Sequence, residues 1–154
     1  MRRTSARTTL VILLATAVVL GIVPNAQADE HKECSNATLH GSFGYTITGF
    51  SFSAPPPLAG AFAQVGRQTF DGNGNTAATA TTSLNGNVLS VTLEGTYTVN
   101  PDCTGSFTIT IFPIGLTQHI DFVIDDDGRE FRAISAESKD VLTAVGKKQF
   151  PQGR

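Results

Sequence analysis

Thr69–Phe107 reads TFDGNGNTAATATTSLNGNVLSVTLEGTYTVNPDCTGSF. Three turn signals divide it: Asp71-Gly72-Asn73-Gly74-Asn75, Asn85-Gly86-Asn87 and Asn100-Pro101-Asp102. Asn-Gly and Asp-Gly pairs supply the positive-φ residues that tight hairpins need. Between them the pattern has period 2. Val91, Leu93, Gly95, Tyr97 and Val99 fall on one face, and Thr92, Glu94, Thr96 and Thr98 on the other. The stretch therefore predicts up-and-down antiparallel strands. Gly95 marks a bend or bulge of the kind a barrel needs at its corners.

The same grammar extends in both directions. Leu39–Ser53 alternates with Phe43, Tyr45 and Ile47 on one face. Pro55-Pro56-Pro57 forms a stiff connector that cannot donate ladder hydrogen bonds. Gly60–Phe70 places Phe62, Gln64, Gly66, Gln68 and Phe70 together. Thr76–Leu84 is rich in Thr and Ala, has little to bury, and suits an edge or a tightly curved place. Gly105–Phe112 turns Phe107, Ile109 and Ile111 inward. Leu116–Ile124 does so with Ile120, Phe122 and Ile124, and Arg129–Ser135 and Val141–Phe150 complete about eight strands. Ala133–Asp140 has room for a helical turn. Gly41-Ser42-Phe43, Gly95-Thr96-Tyr97 and Gly105-Ser106-Phe107 echo one another at uneven spacing, as shared strand chemistry and not as a repeat array. The fold class expected is all-β, an antiparallel up-and-down barrel whose closure removes sheet edges. A two-sheet β-sandwich is the alternative.

Residues 1–28 have the three parts of a secretory signal peptide: Arg2, Arg3 and Arg7, the apolar run Leu10–Val23, and Ala26-Gln27-Ala28 before Asp29. The run falls short of the roughly 18 apolar residues of a membrane span. Residues 29–154 then form one domain, secreted or otherwise extracytoplasmic, with no membrane association after cleavage. Removing three of the 11 Lys+Arg leaves 8 against 13 Asp+Glu, a net charge of −5. That acidity excludes a phosphate-neutralising stripe for nucleic acid and disfavours anionic lipid surfaces. Cys34 and Cys103, the two cysteines of an exported chain, form a disulfide that pins the coil Asp29–Thr38 to the middle of the domain.

A resemblance accompanies these markers. The succession Gly-x-Phe-x-Tyr from Gly41, Val65-Gly66 leading to Phe70-Asp71-Gly72-Asn73-Gly74-Asn75, Gly95-x-Tyr97-x-Val99-Asn100-x-Asp102-Cys103-Thr104-Gly105, and Phe122-Val123-Ile124-Asp125-Asp126-Asp127-Gly128 resembles small exported bacterial barrel proteins. Their layout is similar to the allene oxide cyclase group of calycin-like barrels. The resemblance covers about Leu39–Gln149 and implies a cofactor-free barrel, a cyclase or isomerase if it is an enzyme. No catalytic position of that group maps onto this chain.

Motifs with strong chemistry are absent from the sequence. Asp71-x-Asn73-x-Asn75 begins like a calcium loop, but Thr76 and Thr82 stand where that loop wants Gly and Glu, so a hairpin turn is the reading. Asp125-Asp126-Asp127 reads as a solvated acidic turn, and no metal site is assigned. His119 and Asp121 share a strand face opposite Ile120 and Phe122, hence toward solvent, which ranks a hydrolase last. Asn36-Ala37-Thr38 matches a glycosylation sequon. The residues singled out are polar groups on inward faces: Tyr45, Gln64, Gln68 and Tyr97. In a filled barrel they bond one another; in a hollow one they orient a small, mostly apolar ligand, with Tyr45 and Tyr97 as candidate proton donors. A non-enzymatic extracellular structural or interaction protein is the alternative function.

Overall fold

In the computed structural model, residues 33–150 are described. The signal peptide expected at 1–28 lies outside them. Eight strands follow in chain order: β1 His40–Ser51, β2 Gly60–Asp71, β3 Asn75–Leu84, β4 Asn87–Val99, β5 Thr104–Phe112, β6 Leu116–Asp125, β7 Glu130–Ser135 and β8 Asp140–Lys148. Each pairs antiparallel with the next, and β8 closes on β1, giving an up-and-down barrel. Closure settles the choice between barrel and sandwich. It also corrects the edge position suggested for β3, which pairs along its length with both β2 and β4.

The turns form where the sequence supplies their chemistry. Leu84 and Asn87 are joined by Asn85 (φ 48°) and Gly86 (φ 86°), both left-handed, as a two-residue type I′ hairpin requires. In the β2–β3 turn the Asp71 carboxylate accepts from Asn73 N (2.7 Å), Asn75 N (2.9 Å) and Asn75 Nδ2 (2.6 Å). The Asn75 side chain foremost, with these backbone amides, holds the Asp71 carboxyl down at about 2. The helical turn allowed for near Ala133–Asp140 is instead the end of β7 and a hairpin turn. Among the described residues the only helical segments are 3-10 turns at Asn36–Thr38 and Asp126–Gly128.

Alternation divides the strands cleanly, and the inner face has two halves of different volume. One end is filled by aromatic rings. Phe43 and Phe70 meet edge-to-face at 5.3 Å, Phe70 and Tyr97 at 5.1 Å, and Phe107 stacks on Phe122 at 4.2 Å. Phe131 packs against Phe43, Phe70 and Phe107. Burying such a ring is worth about 1.5–3 kcal/mol, so this plug dominates the core. The three Gly-x-aromatic echoes all deliver their rings, Phe43, Tyr97 and Phe107, to this one cluster. Room for it comes from inner-face glycines. A methyl at Gly146 would strike the Phe131 ring, so the ring lies directly over bare backbone, a device that also lets the wall bend.

Residues 34–39 strap this end shut. The Cys34–Cys103 disulfide ties them to the β4–β5 turn, with Cα atoms 5.0 Å apart. Cys34 N donates to Pro101 O (3.0 Å), Asn36 Oδ1 accepts from Val99 N (2.8 Å), and Leu39 is fully buried beneath the rings.

Candidate functional site

The other half of the barrel is underfilled. Its inner positions carry Ser51, Thr82, Ala133, Ser135 and Ala144 where the plugged end carries phenylalanine. These small side chains leave a cavity of about 60 Å³ that opens at the mouth. Its walls are mainly aliphatic, including Val91, Leu93, Ile109, Ile111, Leu116 and Leu142. Ile114 lines the mouth, and Phe50, Phe52, Phe112 and Val141 are exposed on the outside of the wall around it, with the Phe50 and Phe52 rings stacked at 6.3 Å. Connections 52–59, 85–86 and 113–115 contain no charged residue, while the fourth at this end, 136–139, carries Glu137 and Lys139. Pro55-Pro56-Pro57 crosses the rim and is tied to the β3–β4 turn by Asn85 Nδ2 donating to Pro57 O (3.1 Å).

The four residues expected to share a site are divided between the two ends. Tyr45 and Gln64 come together: Gln64 Nε2 donates to Tyr45 Oη at 2.6 Å. Both are buried, and Gln64 lines the cavity while Tyr45 lies one inner-face step deeper. Gly66 makes space for the phenol, since a methyl there would sit 2.8 Å from Tyr45 Oη. Burial pushes the Tyr45 phenol up to about 12, against the smaller lowering effect of the Gln64 bond, so it stays protonated at neutral pH.

Tyr97 and Gln68 belong to the plugged end and do not line the cavity, which corrects the four-residue grouping. The single Tyr97 Oη proton is shared between the carbonyl oxygens of Asn36 (2.9 Å) and Leu39 (2.8 Å), fastening the strap. Burial raises its pKa too. Gln68 Nε2 donates to Thr76 Oγ1 (3.0 Å), which in turn donates to Thr69 O (3.0 Å). These two are satisfied core polars: alternation put them on the correct face but could not say at which level of the barrel.

Six polar residues of the cavity lay outside the expected set: Ser51, Ser135 and Thr143, and the three with the most bearing on its chemistry, Gln118, Thr82 and Asp140. Gln118 is buried on β6, lines the cavity, and its amide hydrogen-bonds to no described residue. Thr82, the register partner of Gln64, is buried with its Oγ1 unpartnered. Gln118 sits on the face predicted to be inward by Ile120 and Phe122, so the alternation itself contained that signal. Asp140 closes the β8 side of the rim. It accepts from Ser53 Oγ (2.7 Å), Phe52 N (3.0 Å) and Ser53 N (3.2 Å). Burial works to raise the Asp140 carboxyl, but the bonds from Ser53, Ser51 and Phe52 together outweigh it and hold the pKa below the usual range.

His119 is exposed, as its strand face predicts, and it engages Glu137, not Asp121: Nδ1 lies 2.6 Å from Oε1. This pair is outside the barrel and does not reach the cavity. Asp126 pairs with Arg129 (2.7 Å) and Asp125 with Arg132 (3.1 Å) in the acidic turn. Among the described residues no group of three or more His, Cys, Asp or Glu is placed to hold a metal ion.

No family model matches this chain, and no curated protein matches it. Among solved structures, a redesigned β-barrel is similar in fold, with a TM-score of 0.55 at 15% identity, covering 75% of this chain and 95% of that one. At that identity the likeness speaks for the closed barrel alone.

Proposed function

We propose that the barrel is an extracytoplasmic binding protein for a small, mostly apolar molecule held in the open half. The observation that carries this reading is the volume asymmetry: one end is packed with aromatic rings, while the other has several small inner residues, aliphatic walls and apolar side chains around its mouth. An empty apolar space costs packing contacts, and a protein kept only for its outer surface has no use for it. A few buried polar groups among aliphatic walls are the usual make-up of a small-molecule site. The disulfide is consistent with the oxidising compartment that this role assumes.

Binding is favoured over cyclisation or isomerisation of the allene oxide cyclase kind. Tyr97 Oη is engaged by two carbonyls away from the cavity, and Tyr45 lies beneath Gln64 and does not line it. The phenols thus support the walls and do not face a ligand. The test is native mass spectrometry of the mature protein, purified without denaturation from the medium of its own source. An added mass of a few hundred daltons or less that disappears on unfolding supports the reading. A clean apo mass, with no small apolar probe binding, moves the weight to an extracellular structural role.

A further inference from the structure

We infer that the cavity selects a neutral oxygen-bearing ligand, an alcohol or ketone on a short aliphatic chain, and rejects the matching carboxylate. The inference rests on the binding reading above and names the class of its ligand. Three observations carry it.

The first is the orphaned hydroxyl. Thr82 is 3% exposed, lines the cavity, and its Oγ1 has no partner. A buried hydroxyl without a partner is a standing penalty, which a turn of the Thr82 side chain toward the cavity removes once a ligand group is there to meet it. The second is the placement of two amides. Gln64 is the register partner of Thr82 on the adjacent strand. Gln118 projects from β6, four strands from β2 in an eight-strand ring and therefore on the opposite wall. Its amide is free of described partners, and an amide both donates and accepts. A neutral polar group entering this space finds an amide on one wall and a hydroxyl on the other.

The third is charge. No Lys, Arg or His lines the cavity. The one ionised lining group is Asp140, whose carboxylate is already bonded to Ser53 and Phe52 and keeps a negative charge at the rim. A carboxylate brought into this space would lose its hydration, find no cation and meet that charge. The cavity of about 60 Å³ takes the polar end of such a molecule, and its chain runs toward the mouth along Leu84, Ile111, Leu116 and Leu142.

The test is a titration of the isotopically labelled mature protein with 1-hexanol, 2-hexanone, hexane and hexanoate at neutral pH. It follows the side-chain amide resonances of Gln64 and Gln118. Hexanol and hexanone are expected to bind about tenfold more tightly than hexane and about a hundredfold more tightly than hexanoate. Thr82→Val and Gln118→Leu should each weaken hexanol about tenfold and leave hexane unchanged. Thr82→Val keeps shape and removes the orphan, so it should fold at least as stably as the parent. Hexanoate binding within about threefold of hexanol overturns the inference while leaving a binding barrel standing. So does hexane equal to hexanol, or unchanged hexanol affinity in both variants. Failure of all four probes defeats the binding reading itself.

Discussion

Tyr45 and Gln64 meet through a 2.6 Å hydrogen bond although 19 positions separate them. The register explains the meeting: Tyr45 pairs with Gly66, so Gln64 lies one inner-face step further toward the mouth on the neighbouring strand. The missing side chain at Gly66 lets the phenol lie close to the wall beneath the amide. The pair marks the boundary between the filled and the open halves of the barrel.

Tyr45→Phe removes the acceptor for Gln64 Nε2 inside the core. The variant should lose about 1–3 kcal/mol of unfolding free energy in denaturant titration. Tyr97→Phe should cost a similar amount by loosening the strap of residues 34–39, seen as faster amide exchange at Leu39 and Cys34. Binding of a cavity probe should be unaffected by Tyr97→Phe.

The phenols make stability sensitive to alkali. The folded Tyr45 value of about 12 lies above its ordinary 10, so the folded state holds the proton more tightly. Stability is therefore fully present below pH 10 and falls as pH rises through 12, by about 2 to 3 kcal/mol from this group. Melts taken between pH 9 and pH 12 should show a shallower decline in Tyr45→Phe than in the parent.

The Cys34–Cys103 bond closes a loop across a sequence separation of 69 residues. In the chain-entropy account that is worth about 4 kcal/mol. Replacing both cysteines with serine should lower the unfolding free energy by about that amount. The mid-barrel amides should remain the most protected from exchange, because the aromatic plug is untouched.

Gly146→Ala places a methyl against the Phe131 ring and should destabilise by about 1–3 kcal/mol. Adding Phe131→Leu should give a double variant less destabilised than the two single losses summed, because the smaller side chain yields space. Additive losses would mean that the glycine is needed for backbone conformation and not for the close approach.

Much of this molecule was legible from alternation and turn chemistry. Asn85-Gly86 specifies a type I′ hairpin whatever surrounds it, and Val91 through Val99 declare an inner face without reference to a partner strand. The same rule put Tyr45, Gln64, Gln68 and Tyr97 inside, where they are. A two-residue period, however, has no information about height along the barrel axis. That coordinate depends on the stagger between strands, which is set by pairings such as Tyr45 with Gly66 and Tyr97 with Phe107.

Local sequence thus determined the strands, their inward faces, the hairpin turns and the cysteine pair, because each depends on residues close in the chain or on compartment. Closure of the sheet was the sequence's expectation and the structure bears it out, whereas tertiary structure alone decided that six aromatic rings gather at one end and that small residues gather at the other. It alone separated Tyr97 and Gln68 from Tyr45 and Gln64, and brought Gln118 and Thr82 to the cavity. The physical reason is that a cavity is a sum of side-chain volumes from all the walls at one height, and no single strand carries that sum.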